Sequence, residues 1–303
     1  MTALSPLTSY LFGVTLEPVR PRDFVELPGR RFFAALTWPD QGGTFLAVHR
    51  YTQSDGAFRE ALASYAELGP NDPIHIIRPE SRLSELRRDG ATSVIAGRAV
   101  RAAALLSERA PAERLGVTGS ILLGAEADDS DIDVVCYGRA TFAAARAALA
   151  NAMTDGRLVA LSTDDWRVAW QRRAPDLSLD EYMRHELRKG TKALLEGTRI
   201  DLSLLQDPDE GTPEVGPFRK LSRLQLMSDV TDASAAFDYP ARLGIDHPEI
   251  PEIVIYTATY FGQALVGEAV EASGWLEEDG LGRRRLLVGT SREAKGEWVR
   301  VSP

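Results

Sequence analysis

A pair of aspartates at the start of an apolar run limits how this chain can fold. Asp131 and Asp133 flank Ile132, and apolar residues 134–137 follow. Successive side chains of a strand point to opposite faces, so both carboxylates project to one side. Two carboxylates this close repel each other, and both stay ionised only with a cation between them. Because such oxygens suit Mg²⁺ together with substrate phosphates, the sequence predicts a metal and phosphate site here.

Two small residues precede this predicted strand. Gly119 and Ser120 follow the short apolar segment 115–118, and ten residues separate them from Asp131. Because Gly119 has no side chain, backbone amides are expected to approach a phosphate closely at the start of a helical turn. Ser130 ends the polar turn that leads into the strand. Two strand carboxylates alone are more often a solvated face, and the Gly-Ser pair upstream favours a site.

This combination is similar to the signature of the DNA polymerase β-like nucleotidyltransferase superfamily. That signature has a hydrophobic residue, Gly, Gly or Ser, a spacer like the one found here, and Asp-hydrophobic-Asp. The superfamily expects a third carboxylate on a later, adjacent strand, and Asp201 lies on the polar face of the alternating segment 198–205. Residues 117–120 and 130–133, with Tyr137 and Gly138, also resemble a set of uncharacterised archaeal and bacterial nucleotidyltransferase-domain proteins.

The resemblance implies a fold class and a division of the chain. The core match runs from about residue 116 to residue 207, and the flanks resemble that set more loosely. We expect an α+β protein with a central polymerase β-like nucleotidyltransferase mixed sheet and helices. An N-terminal β-rich segment is predicted at 1–70, the catalytic domain at 71–210, and a C-terminal small β-barrel or sandwich module at 211–303.

The resemblance also implies an activity. It predicts a metal-dependent nucleotidyltransferase that moves a nucleoside monophosphate from a nucleoside triphosphate to a hydroxyl acceptor and releases pyrophosphate. Asp131, Asp133 and Asp201 are expected to hold two Mg²⁺ or Mn²⁺ ions, and Asp201 to help deprotonate the attacking hydroxyl. Gly119, Ser120 and Ser130 are expected to bind the nucleotide phosphates. The acceptor stays open among RNA, DNA, a protein side chain and a small molecule, and so do the choice of triphosphate, ATP included, and the oligomeric state.

The cations for the phosphates are a separate question. Many superfamily members carry a basic residue just after the Gly-Ser pair, whereas this chain has hydrophobic residues after Ser120. A helix predicted over 178–195 offers Arg188, Lys189 and Lys192 on neighbouring stripes. We expect these three residues to bind the nucleotide. The alternative is a solvated amphipathic face.

Two rival functions stay open. The first is a catalytically silent nucleotide-binding or scaffold protein of the same fold, which the missing basic residue after Ser120 permits. The second is a metal-dependent glycosyltransferase, in which an Asp-x-Asp pair holds a metal and a nucleotide sugar. That second function requires neither Gly119 and Ser120 nor Asp201.

Composition excludes several other classes. The chain has 303 residues, one cysteine and a formal net charge of −9. The charge argues against a large duplex-binding surface, which is normally basic, and a single cysteine excludes an intramolecular disulfide. No apolar run is long enough for a membrane helix and no export signal is visible. We therefore expect a cytoplasmic protein without a membrane partner.

The flanking regions have their own predicted elements. In the N-terminal region these are strands at 23–27, 31–36 and 44–48 and a helix at 57–68. Further helices are predicted at 82–88, 92–109 and 141–153, and five short strands after residue 217. Trp166 and Trp170 are expected either to stack on a base or to fill a core. If the C-terminal module binds nucleic acid, its contacts are expected to be the basic run 283–285 and Tyr256 or Tyr260.

Overall fold

The computed structural model describes residues 18–211, 217–291 and 295–302. Within these ranges the chain forms six α-helices and three β-sheets, which confirms the predicted α+β class. None of these helices is both long enough and apolar enough to cross a bilayer. The three sheets are built from successive parts of the chain.

The first sheet is antiparallel and has six strands. They are β1 (Phe24–Leu27), β2 (Arg31–Ala35), β3 (Phe45–Ser54), β4 (Ala57–Glu60), β5 (Tyr65–Leu68) and β6 (His75–Ile77). The sheet order is β4-β3-β2-β1-β6, and β5 also pairs with β3. Since β6 pairs with β1, the first sheet extends past residue 70, where the sequence placed the end of this unit.

The prediction of a helix over 57–68 is wrong, because this segment forms β4 and β5. Asp55 and Gly56 both have positive φ angles, 52° and 76°. Consecutive positive φ values make the tight turn that joins two antiparallel strands, so the chain returns along β3 as β4. Leu62 and Tyr65 are 95% and 62% exposed, so the apolar residues of this segment do not form one buried helical face. The Asp-Gly pair was the available signal.

The second sheet carries the aspartates and most of the helices. Its strands are β7 (Leu115–Val117), β8 (Ile132–Tyr137), β9 (Lys192–Leu195) and β10 (Thr198–Leu205) in the order β7-β8-β10-β9. The helices are α1 (Pro79–Asp89), α2 (Val94–Leu106), α3 (Ser120–Leu123), α4 (Arg139–Thr154), α5 (Thr163–Arg173) and α6 (Leu179–Lys189). Ile132, Val134 and Cys136 are fully buried in the core shared with α2 and α4, so the aspartates project from the opposite face.

The helix predicted over 178–195 is right at its start and wrong at its end. Ser178 and Glu181 form a capping box at the start of the helix. The helix stops at Lys189 because Gly190 takes a left-handed conformation, with φ 60° and ψ 38°, which is a common helix ending. Residues 192–195 are strand β9 instead, paired with β10.

The third sheet lies in the C-terminal region. Its strands are β11 (Phe218–Asp232), β12 (Ala241–Ile245), β13 (Glu252–Ile255), β14 (Ala269–Asp279), β15 (Arg284–Val288) and β16 (Trp298–Val301). The pairings run β11-β12-β13-β15-β14 and return to β11, so five strands close into a ring, with β16 added beside β14. Strand β12 was not predicted.

Both outer units pack on the central one. Leu122 of α3 shares a hydrophobic cluster with Phe24 and Tyr51 of the first sheet. On the other side, Trp166 of α5 and Tyr182 of α6 are buried in the core of the third sheet. The face of the second sheet that carries the aspartates therefore lies where all three units meet.

Candidate functional site

Asp133 and Asp201 stand next to each other on the second sheet. Strands β8 and β10 are parallel neighbours, and Asp133 is the register partner of Asp201. Register partners project from the same face, and neighbouring strands lie about 4.8 Å apart. On the far side of β10, Lys192 is the register partner of Asp201, and its Nζ lies 3.7 Å from Asp201 Oδ1. A row of two carboxylates and one ammonium group thus crosses three strands.

Gly119 closes this row on the other side. It precedes α3 with φ 67° and ψ −141°, a backbone region that is open almost only to glycine. A Cβ atom at this position would lie 2.5 Å from Asp133 Oδ2. The absence of a side chain therefore lets the backbone touch the carboxylate, and Ser120 begins the four-residue helix α3 directly beside it.

Replacing Gly119 with alanine is expected to lower the free energy of unfolding by roughly 2 to 4 kcal/mol. The change combines an unfavourable backbone angle with a clash against a carboxylate. Gly156→Ala is the matched control, because Gly156 has φ 77° and no atom within 4 Å of the added Cβ. Urea denaturation of both variants measures the difference. Equal losses would show that Gly119 serves only the backbone turn.

Asp131 is close to this pair but is held by arginine. Its carboxylate forms a salt bridge with Arg199, and Arg172 lies 3.7 Å away. Arg199 is two residues before Asp201 on β10, so it projects from the same face. The structure therefore gives Asp131 a different environment from Asp133 and Asp201, which have no arginine bound to them among the described residues.

The pKa of Asp133 is raised from 3.8 to about 6. Burial is the largest cause, and the negative charges of Asp201 and Asp131 raise it further. Arg22 and Arg199 act in the opposite direction. A raised pKa means that the folded protein disfavours the charged carboxylate, which a bound cation would relieve. Groups of this kind cluster at functional sites.

The side chain of Lys192 is held in place by a buried glutamate of α6. Glu186 on α6 has a 3% exposed side chain and accepts a hydrogen bond of 2.6 Å from Lys192 Nζ. It also pairs with Lys189, whose ammonium group donates to the carbonyl of Thr259 at 2.7 Å. Burial by itself would raise the pKa of Glu186, but the two lysines outweigh it and lower the pKa to about 2. The Lys189–Glu186–Lys192 network thus positions Lys192 beside Asp201.

The basic residues predicted to bind the nucleotide are separated by the fold. Arg188 forms a salt bridge with Glu268 of the third unit. Lys189 is buried, with a side chain only 4% exposed. Of the three, Lys192 alone reaches the carboxylates, because Gly190 ends the helix and places Lys192 on strand β9. The basic stripe is therefore not a single surface.

Ser130 borders a small cavity beside the site. Its hydroxyl accepts a hydrogen bond of 2.9 Å from the amide of Ala127. The cavity has a volume of about 210 Å³, and Asp131, Arg199, Leu161 and Leu194 contribute to its walls. Ser130 and the Asp131–Arg199 salt bridge thus line the same cavity.

The structure leaves two carboxylates at this site that could act as ligands of a divalent cation. Among the residues that the structure describes, no group of three or more His, Cys, Asp or Glu side chains is arranged to hold a metal ion. Asp131 is occupied by Arg199, which leaves Asp133 and Asp201. Two carboxylates are as many as Mg²⁺ commonly uses when substrate phosphates complete its shell. Of the three expected carboxylates, Asp133 and Asp201 are thus adjacent, whereas Asp131 is engaged in a salt bridge with Arg199.

The aromatic and basic candidates outside this site are mostly structural. Trp166 and Tyr260 are buried, 3% and 1% exposed. In the basic run, Arg285 is buried against Glu277, with its Nε 2.9 Å from the carboxylate. Tyr256 is half-buried and packs edge-on against Tyr239 at 5.9 Å. Of the two roles considered for Trp166, base stacking and core packing, the structure shows core packing.

Three residues of the site were not found from sequence. Arg199 was overlooked although it alternates with Asp201 along β10, and this period-two pattern was a usable signal. Glu186 is buried, and nothing local in the sequence marks it as such. Arg22 comes from the first sheet, and its approach to Asp133 is a tertiary contact without a sequence pattern.

Comparison with known proteins yields a relative without a described activity. An uncharacterised protein of Methanocaldococcus jannaschii is 37% identical to this chain over 202 residues. The match covers 63% of this chain and 59% of that protein, so the chain spans less than two thirds of the relative's length. No family model and no solved structure matches the chain.

Proposed function

We propose that this protein is a metal-dependent nucleotidyltransferase. The observation that carries the proposal is the register pairing of Asp133 with Asp201 on parallel strands, beside a glycine that leaves no room for a side chain. This arrangement gathers two ionisable carboxylates and a closely approaching backbone in one place. The strand order β7-β8-β10-β9, with the Gly-Ser pair after its first strand, also supports a polymerase β-like core.

The residues of the site take distinct roles under this proposal. Asp133 and Asp201 hold the divalent cation, and Gly119 and Ser120 contact a phosphate of the nucleoside triphosphate. Lys192, held by Glu186, balances part of the negative charge at Asp201. Asp201 also accepts the proton of the attacking hydroxyl. Asp131 stays paired with Arg199 or joins the cation when that salt bridge opens.

The reaction transfers one nucleoside monophosphate. Mg²⁺ or Mn²⁺ held by Asp133 and Asp201 would neutralise charge on the phosphate oxygens during the transfer. The acceptor oxygen forms a bond to the α-phosphorus while the bond to the bridging oxygen breaks. The hydroxyl proton passes to a carboxylate and pyrophosphate leaves. The acceptor carries a hydroxyl group, with RNA and DNA among the candidates.

A labelling experiment tests the function. The protein is incubated with each α-labelled nucleoside triphosphate, with Mg²⁺ or Mn²⁺, and with total RNA, DNA and protein. We expect label in one acceptor class, pyrophosphate release, and loss of both in Asp201→Asn. Absence of label and of pyrophosphate with every triphosphate would contradict the proposal.

A catalytically silent nucleotide-binding protein is the second candidate. The salt bridge between Asp131 and Arg199 favours it, because it removes one of the three expected carboxylates from the site. Calorimetry separates the two functions. Triphosphate binding without pyrophosphate release over hours would identify the silent protein. A glycosyltransferase would instead turn over a nucleotide sugar and keep that activity in Asp201→Ala.

A further inference from the structure

The candidate site needs a cation for the phosphates of its substrate. The residues after Ser120 are hydrophobic and buried, Ile121 and Leu122. The α6 cations are engaged elsewhere, since Arg188 pairs with Glu268 and Lys189 with Glu186. A triphosphate that meets Asp133 and Asp201 without a cation of its own would be repelled.

Arg22 brings a cation to this site from the first sheet. Its carbonyl accepts a hydrogen bond of 3.1 Å from the hydroxyl of Thr118. The amide of Thr118 in turn donates to the carbonyl of Asp133 at 3.0 Å, and Gly119 is the next residue. The turn that carries Arg22 is therefore attached to the backbone of the candidate site.

This turn is held rigidly. Asp23 is fully buried, and its carboxylate accepts hydrogen bonds of 2.9 Å from the amide of Arg20 and from Arg78. The amide of Arg22 donates to the carbonyl of Ala35 at 3.0 Å. These bonds fix the backbone that aims the Arg22 side chain.

The backbone of Arg22 is strained. Its φ is 79°, a conformation in which glycine is the favoured residue and an L side chain is costly. An arginine at such a position gives up stability that a glycine would restore. Strain of this kind collects at ligand sites, where the side chain has a use.

Arg22 is half-buried, and its guanidinium is free for a ligand. It forms no hydrogen bond or ion pair with any residue that the structure describes, although its charge acts on Asp133. The other cations near the carboxylates have acidic partners: Arg199 binds Asp131 and Lys192 binds Glu186. A guanidinium without a partner is suited to two oxygens of one phosphate.

We propose that Arg22 binds the β- or γ-phosphate of the nucleoside triphosphate, so that the first sheet is part of the nucleotide site. This inference rests on the proposed function for the identity of the ligand. The N–H donors of the Arg22 guanidinium take the place of the basic residue that is missing after Ser120. The N-terminal unit then positions substrate and is not only a cap on the central sheet.

The test is calorimetry with inorganic tripolyphosphate in EDTA, so that only protein cations contribute. Arg22→Gly is expected to weaken binding about 10- to 100-fold, the usual effect of losing hydrogen bonds to a charged group. Its Tm is expected to stay the same or to rise, because glycine accepts the φ of this position. Arg22→Lys keeps the charge without the N–H donors of the guanidinium and is expected to fall between the two.

Arg30→Gly is the matched control. Arg30 lies in the turn between β1 and β2 and also has a positive φ, 55°. Its exposed side chain pairs with Glu26. This variant makes the same chemical change away from the site and is expected to bind tripolyphosphate normally. Equal affinity in wild type and Arg22→Gly, equal losses in both glycine variants, or no binding by wild type would each overturn the role of Arg22.

The outcome is separable from that of the proposed function. Tripolyphosphate binding requires no transfer reaction, so a protein that labels no acceptor can still show the loss in Arg22→Gly. In that case Arg22 remains an anion-binding residue and nucleotidyl transfer is rejected. Labelling that persists unchanged in Arg22→Gly, at limiting triphosphate, would reject Arg22 and leave the transfer reaction in place.

Discussion

Asp133→Asn is expected to slow nucleotide transfer strongly and, at the same time, to stabilise the fold at neutral pH. The loss of activity follows because the variant removes one of the two carboxylates available to a cation. We expect a decrease of about 10²- to 10³-fold in the rate of label incorporation, the effect of removing one electrostatic contact to a transition state. Pyrophosphate release measures it.

The gain in stability follows from the raised pKa of Asp133. A carboxyl group whose pKa is about 6 when folded and 3.8 when unfolded favours the folded state only while it is protonated. Stability is therefore lost as pH rises from about 4 to 6 and is not regained above. Removing the charge is expected to raise the free energy of unfolding by on the order of 2 kcal/mol at pH 7.5.

Urea denaturation in EDTA at pH 3.5 and pH 7.5 checks this expectation. The difference between wild type and Asp133→Asn is expected to appear at the higher pH and to vanish at the lower. Asp164→Asn is the control, because Asp164 is an acid on α5 with an 86% exposed side chain. A variant that loses activity and also unfolds more easily at pH 7.5 would show that Asp133 is a structural residue.

Opposite effects on activity and stability are typical of a binding site in which like charges repel each other until a ligand binds. Asp133 and Asp201 are adjacent because β8 and β10 are paired in a fixed register, which the buried side chains of both strands enforce. The register fixes the backbone positions from which both carboxylates project. A bound cation or a proton would reduce the repulsion between them.

The central strands could be predicted because the information is local. The alternation around Asp131 and Asp133, and again around Asp201, places these side chains on polar faces without reference to the rest of the chain. Pairing between the two strands is not local. The salt bridge between Asp131 and Arg199 joins residues 68 positions apart, and it depends on a strand order that the pattern of one strand does not contain.

The errors have physical reasons as well. The segment 57–68 has spaced apolar residues, but the turn at Asp55 and Gly56 decides its structure, and turn chemistry outweighs a weak helical pattern. Lys189 was expected to bind the nucleotide or, alternatively, to lie on a solvated face, since charged residues are rarely buried, and the sequence gives no signal for the burial of Glu186. They are buried because the third unit packs on α6, and mutual pairing makes that burial tolerable.

Arg22 shows the limit of reading a sequence most clearly. A positive φ at an arginine has no signature in the chain, since the residue type argues against it. Only the tertiary bonds to Ala35 and Thr118 reveal the conformation. Side chains that enter a site from another unit are therefore the part of a binding site that local patterns miss.

Glu186→Gln is expected to be the most destabilising conservative substitution in the central unit. Glu186 is 3% exposed and binds Lys189 and Lys192, whose own side chains are 4% and 16% exposed. Removing its charge leaves two largely buried ammonium groups without their acid, and breaking a buried ion pair costs about 3 to 5 kcal/mol. We expect a loss of that size at pH 7, measured by urea denaturation.

Glu196→Gln provides a matched comparison, because Glu196 also binds two cations. Arg98 and Arg101 lie 3.3 and 2.8 Å from its carboxylate, but its side chain is 51% exposed. Water replaces the lost interaction there, so we expect the denaturation midpoint to be unchanged. A similar shift in both variants would mean that ion pairing alone, and not burial, sets the stability of the Lys189–Glu186–Lys192 network.

The pH dependence gives the Glu186 prediction a second, independent outcome. The pKa of Glu186 is lowered from 4.5 to about 2 when the protein folds, so its charge stabilises the folded state above pH 4.5 and this contribution is lost as pH falls towards 2. The gap between wild type and Glu186→Gln is therefore expected to narrow steadily over that interval. A gap that stays constant with pH would assign the loss to side-chain packing. Because Lys192 also lies beside Asp201, a charge-dependent gap would link the stability of α6 to the electrostatics of the candidate site.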